Sequence, residues 1–128
     1  MHTLDMVAKT VCKPGDKMII LDKEHGGHAS VKPVVERLGV KTYSAPYNID
    51  EYDLDYDALN GYGQERRNKI HFISTIRILL SQLEIEKIDT TDCVLLWDAS
   101  QLLGLIAAGL AQNPLKKYEK CNYVWRNA

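Results

Sequence analysis

The run Cys93-Val94-Leu95-Leu96-Trp97-Asp98-Ala99-Ser100-Gln101-Leu102-Leu103-Gly104 limits the possible folds of this chain more than any other stretch. Its apolar part, Val94 to Trp97, is too short for a buried helix and apolar enough for a strand covered on both faces. It stops at a carboxylate followed by small residues. The spacing predicts strand, turn, helix. In an open α/β sheet, ligands gather beyond the carboxyl ends of the strands, so Asp98 stands where an anionic group can act on one. The same residue equally suits the cap of a helix beginning near Ala99. Both readings stay open on this stretch alone.

The rest of the chain alternates in the same way. Leu4, Val7, Ala8 and Val11 recur at helical spacing over residues 3–12, and Lys13-Pro14-Gly15-Asp16 reads as a tight turn. Lys17 to Leu21 is a short buried strand. It runs into His25-Gly26-Gly27-His28, two imidazoles around a glycine pair that lets the backbone approach a ligand. His28 is expected to open a helix with Val31, Val34, Val35 and Leu38 inward, and Gly39 to cap its end. Residues 40–44 form a strand closed by Pro46. Residues 47–57 read as an acidic, aromatic solvated loop, and Asp55 caps a short helix that Gly61-Tyr62-Gly63 breaks early. Lys69 to Ile73 is a further strand with Ser74 and Thr75 at its carboxyl tip, followed by a helical piece around Leu79 to Ile88. Gln112-Asn113-Pro114 is a turn, and residues 115–128 show no clean period. Strands alternating with helices predict an α/β fold: a parallel-rich, three-layer sheet with helices on both faces, in one domain spanning residues 1–128.

Composition narrows the partners. The 128 residues are 45% hydrophobic and 26% charged, with a net charge of −1 and a pI near 6.4. There is no basic field for nucleic acid and no polybasic anchor for a membrane. No apolar run reaches bilayer length, and the start, MHTLDMVAKT, lacks the pattern of a signal peptide, so the expected compartment is the cytoplasm. Cys12, Cys93 and Cys121 are odd in number and widely spaced, which fits reduced thiols, with Cys93 expected in the core and inert. His25 and His28, with or without His71, match no standard zinc spacing, and the acidic run Asp50 to Asp57 lacks the glycine and closing glutamate of a calcium loop. No metal is expected. The tyrosines Tyr43, Tyr47, Tyr52, Tyr56 and Tyr62 read as surface and loop packing or a subunit contact.

Three ordered motifs together resemble a known family. His25-Gly26-Gly27-His28 after a Pro-Gly-Asp turn and strand, then Asp55-Tyr56-Asp57-Ala58-Leu59, then Asp98 to Gly109 are similar to the pyridoxal-phosphate domain of serine hydroxymethyltransferase, collinear from about Asp5 to Leu115. Residues 98–106 with Gln112-Asn113-Pro114-Leu115 look closer to the threonine-aldolase-like and transaldolase relatives. The resemblance implies part of the large domain of an aspartate-aminotransferase-like (fold type I) enzyme, with residues 116–128 a divergent tail. It implies pyridoxal 5'-phosphate as cofactor, with Asp98 facing the ring nitrogen, His28 stacked on the ring, Gln101 near the ring hydroxyl where the family has histidine, and Ser74 bordering the pocket. The implied reaction cleaves or forms the α–β carbon bond of serine- or threonine-type β-hydroxy amino acids, interconverting them with glycine. The implied partners are a small amino-acid substrate and a second copy or complementing chain.

The sequence also departs from the family. The Schiff-base lysine lies in a Thr-His-Lys motif one strand after the aspartate helix, and the corresponding stretch here reads Tyr123-Val124-Trp125-Arg126-Asn127. The phosphate-binding loop and the substrate-carboxylate arginine of the relatives have no counterpart. The expectation is a fragment, inactive by itself, that exposes strand edges and apolar helix faces and is poorly soluble. The alternative is a non-catalytic remnant or the partner subunit of a split threonine transaldolase.

Overall fold

The computed structural model describes residues 2–65, 70–74, 84–89, 93–100, 102–111, 113 and 121–125. Among them are seven strands, Lys17–Ile20 (β1), Lys41–Ser44 (β2), Tyr47–Asn48 (β3), Asp53–Leu54 (β4), Ile70–Ser74 (β5), Cys93–Asp98 (β6) and Cys121–Trp125 (β7). The helices are His2–Val11 (α1), Val31–Glu36 (α2), Tyr56–Glu65 (α3) and Leu103–Ala107 (α4). Five strands form one sheet in the order β2-β1-β5-β6-β7, with every pairing parallel. The remaining pair, β3 and β4, is an antiparallel hairpin.

The period of two along the central strands sorts their side chains into two cores. Met18, Ile20 and Leu96 meet Leu4, Ala8 and Cys12 from α1 and its end, and Val31, Val34 and Val35 from α2. Ile19, Leu21, Leu95 and Trp97 point the other way, onto Leu54, Leu59 of α3, Ile88 and Leu102. The sheet is therefore sandwiched between helices, as the alternation of elements predicts.

Local chemistry explains most of the boundaries. The turn after α1 closes through the Asp16 amide on the Lys13 carbonyl at 3.0 Å, with the Asp16 carboxylate accepting the Lys13 amide at 2.8 Å and Gly15 at φ 91°. Gly39, at φ 78°, ends α2 in a Schellman arrangement: its amide bonds the Glu36 carbonyl at 3.0 Å and that of Val40 bonds Val35 at 3.3 Å, while Val35 and Val40 pack together in the core. Asp55 caps α3 by accepting the Ala58 amide at 2.9 Å. Asn60 ties residues 84–89 to α3, donating to the Lys87 carbonyl and accepting from the Asp89 amide, both at 2.8 Å.

Several expectations are corrected. The helix after the histidine pair starts at Val31, three residues beyond His28, because residues 23–25 first make a single tight turn. Gly61 and Gly63 do not break α3. Each glycine costs about 1 kcal/mol in a helix, and the Asp55 cap with Leu59 and Tyr62 packed on the core outweighs that. The stretch 47–57 is not a plain loop but contains the β3–β4 hairpin, whose tip is held by the Asn48 side chain accepting the Asp50 amide at 3.1 Å. Four of the five tyrosines, Tyr43, Tyr47, Tyr56 and Tyr62, pack against the core, and only Tyr52 stands exposed. The tail contains β7, paired with β6 from Leu95 to Asp98. Cys93 is only half-buried, and Cys12 is the thiol in the core. The helical piece expected around Leu79 to Ile88 lies mostly outside the described residues, of which 85–87 form a short 3-10 turn.

Two acidic groups gain from burial in their neutral forms. Desolvation, with Asp16 nearby, pushes the Cys12 thiol from its ordinary 9.0 up to about 11. Burial raises the Tyr56 phenol from 10.0 to about 12, opposed by the Glu84 amide that donates to it and reinforced by Asp53. In each case the unfolded chain loses its proton first, so the stabilisation is complete below the unfolded value and disappears as pH rises through the folded one. Urea unfolding is expected to be level up to pH 9 and to weaken steadily from pH 9 to 12. Cys12→Ala should flatten the part between pH 9 and 10, lessen the slope between pH 10 and 11 where Tyr56 also titrates, and leave the part above it, whereas an unchanged profile would contradict the burial of this thiol.

Candidate functional site

Parallel pairing brings the carboxyl ends of all five strands to one edge. Register aligns Ile20, Ile73 and Leu96 in one row and Ser74 with Trp97 in the next, so that Asp98, opposite Trp125, stands at the rim. The chain leaves β1 outward to β2 and returns to β5 on the other side of β1, so the strand order reverses between β1 and β5. Such a switch point opens a crevice at the carboxyl edge, because neighbouring connections depart over opposite faces. The loop carrying His28 follows β1, and the tip of β5 ends at Ser74. Asp98 ends β6, two strand spacings or about 10 Å from β1.

Asp98 is the one buried charged side chain among the described residues, 8% exposed. Leu96 faces the α1–α2 side of the sheet, and two residues on, Asp98 follows the same direction. Its Oδ1 accepts the Ser100 amide at 2.9 Å and the Ser100 hydroxyl. This is an Asx turn, not a helix cap. The helix expected near Ala99 begins at Leu103, with Leu102 at its cap and no side-chain bond there. The capping reading of Asp98 is thus overturned, since Asp98 bonds Ser100 and the amides of Leu102 and Leu103 are accepted by the Ala99 carbonyl.

The loop after β1 winds tightly against the strand it leaves. The Asp22 carbonyl accepts the amides of His25 at 3.0 Å and Gly27 at 2.8 Å, and Gly26 adopts φ 96°. A Cβ on Gly27 would sit 1.8 Å from the Leu21 carbonyl oxygen, so only glycine lets the loop press onto the tip of β1. The His25 ring lies parallel on Tyr47, with centroids 4.1 Å apart and planes 7° from parallel, and its Nδ1 is buried without a hydrogen bond. His28, by contrast, is exposed, and its carbonyl accepts the Val31 amide at 3.1 Å. Its ring Nδ1 lies 3.2 Å from the Ser30 amide and 2.6 Å from the Ser30 hydroxyl. Since α2 packs on the same side of the sheet as Leu96, the loop carrying His28 leads from the carboxyl edge into the helical layer that Asp98 faces.

The backbone of Ser74 lies between these two positions, while Gln101 and Thr75 fall outside the described residues. Three contributors escaped sequence reasoning: Ser30, Ser100 and Tyr47. The two serines each stand two residues after a polar side chain they bond, a spacing readable as local side-chain turns. Tyr47 carries no such signal. Among the described residues no cluster of three His, Cys, Asp or Glu side chains could hold a metal ion, and no helix is long and apolar enough to cross a membrane.

No family model matches the chain. It is 35% identical over 106 residues to the serine hydroxymethyltransferase of Methanobrevibacter smithii, which covers 79% of this chain and 25% of that one. The enzyme of the same name from Dichelobacter nodosus is 36% identical over 108 residues, covering 80% and 26%. That of Francisella tularensis subsp. novicida is 33% identical over 112 residues, covering 84% and 27%. Among solved structures, L-threonine transaldolase from Pseudomonas fluorescens, in its internal aldimine state, superposes with a TM-score of 0.78 at 21% identity. That likeness covers 96% of this chain and 28% of the transaldolase, and it bears on the fold alone. The α/β architecture, the glycine loop after β1 and the aspartate at the tip of β6 thus sit in a chain that is serine hydroxymethyltransferase-like and spans about a quarter of the length of the curated relatives it matches.

Proposed function

We propose that this chain supplies one wall of a pyridoxal 5'-phosphate site for chemistry on serine- or threonine-type β-hydroxy amino acids and glycine. The reading is supported by the buried Asp98 carboxylate at the carboxyl edge of the sheet, beside the switch point where the glycine loop carrying His28 leaves β1. The donor set fits the pyridine end of such a cofactor. Asp98 would hold a protonated ring nitrogen, with Ser100 keeping the carboxylate oriented. His28 would lie flat against the ring, and Ser74 and Gln101 would border its oxygen substituents. When bound, the cofactor acts as an electron sink for the carbanion left by α–β bond cleavage. The work of this chain's residues is to keep that ring protonated, flat and shielded on one side. A covalent lysine, a phosphate loop and a substrate-carboxylate arginine would be supplied from outside these 128 residues. The cytoplasm is the compartment consistent with such amino-acid chemistry.

Trp97, next to Asp98, gives an optical reporter. Titrating the full chain with pyridoxal 5'-phosphate is expected to quench tryptophan fluorescence saturably. Asp98→Asn keeps the size of the side chain but removes its charge, and should weaken binding by about 10-fold to 100-fold, the range for losing a charge-assisted hydrogen bond. Equal binding by both proteins, or none by the wild type, would exclude this reading.

A further inference from the structure

Ser30 occupies the N-cap of α2, where a serine ordinarily bonds the amide two or three residues on. Here it makes no such bond. Its hydroxyl turns back to His28 Nδ1 at 2.6 Å, and its own amide points at the same atom from 3.2 Å. A backbone amide can only donate, so Nδ1 must carry its lone pair toward Ser30, and the ring proton of the neutral imidazole sits on Nε2. We propose that Ser30 is a positioning residue for His28, setting both the tautomer and the tilt of the ring that lies against the cofactor. This deepens the proposed function and rests on it. A ring on an exposed loop would otherwise sample several rotamers, and each must be given up on binding a flat ligand. Two donors on one nitrogen settle that choice beforehand. The glycine loop fixes the other side of the histidine, since the Gly27 amide is bonded to Asp22 at 2.8 Å and leaves no room for a side chain. His28 is thus held from before and after, and the helix forgoes its cap for the arrangement.

The test uses the full chain with labelled histidine rings, read by long-range proton–nitrogen correlation spectra at neutral pH. In the wild type, His28 should show a bare, hydrogen-bonded Nδ1, a protonated Nε2 and a single side-chain rotamer. Ser30→Ala should lose the hydrogen-bond signature at Nδ1 and average the rotamer without lowering the melting temperature, because no helix cap is removed. Ser30→Thr should restore the wild-type spectrum. In parallel, affinity for pyridoxal 5'-phosphate should fall about threefold to tenfold in Ser30→Ala and recover in Ser30→Thr. A His28 spectrum unchanged by Ser30→Ala, or a wild-type ring protonated at Nδ1, overturns the inference. Failure of the wild type to bind the cofactor, with the His28 spectrum responding as described, overturns the cofactor reading alone.

Discussion

Gly27→Ala is expected to lower the melting temperature by roughly 10 °C or more, from a loss of about 3 kcal/mol. The added Cβ would lie 1.8 Å from the Leu21 carbonyl oxygen, 2.5 Å from its carbon and 2.9 Å from the Asp22 oxygen. All three are backbone atoms at the tip of β1, so no rotamer change relieves the clash. Either β1 loses its hold on the end of the sheet or the loop lifts away and takes His28 with it. Gly26 provides the control. Its left-handed φ of 96° penalises a side chain by about 1–2 kcal/mol through local strain alone. Differential scanning calorimetry of the two variants should rank Gly27→Ala as the more damaging. The opposite order would mean that backbone conformation, not contact with β1, determines the loop.

Leu96→Ala should remove about 3–5 kcal/mol, the range for deleting a fully buried leucine that its surroundings cannot refill. Leu96 is 0% exposed, sits on β6 between β5 and β7, and is packed with Met18, Ile20, Val34 and Val35. Backbone pairing on both sides keeps the strand from shifting into the cavity. A chain of this size has about 6–19 kcal/mol in total, so the loss is at least about a sixth of the whole. Urea unfolding should show a lower midpoint with an unchanged slope. A cost below about 1 kcal/mol would mean that the α1–α2 layer is loosely seated, and with it the face of the sheet toward which Asp98 points.

Beyond these core positions, the apolar surface left in view bears on the expected poor solubility. Leu103, Leu105 and Leu110 are exposed on and just after α4, and Met6 and Ile49 stand out elsewhere. Scattered apolar residues are ordinary, but three exposed leucines within eight residues make a surface that favours association.

Local signals in the sequence were enough for the pieces. The apolar runs at 17–21 and 93–97, the Gly39 cap, the Asp55 cap and the turn at residues 13–16 are each written in residues within five positions of one another, where one dihedral preference or one side-chain bond decides the conformation. The motifs around His28 and Asp98 were legible for the same reason. Where α4 starts was not, because an aspartate followed by small residues serves an Asx turn as well as a cap, and the Ser100 amide decided between them. The hairpin at 47–54 and the strand in the tail stayed hidden because their periodicity is weak and pairing with a distant neighbour makes them strands. Strand order belongs to the tertiary structure alone. Residues 28 and 98 are seventy positions apart, and no local preference relates them. The loop carrying His28 and the residue Asp98 come to one edge because parallel pairing through β5 fixes the register of β1 against β6, and burial of alternate side chains fixes which way each strand faces.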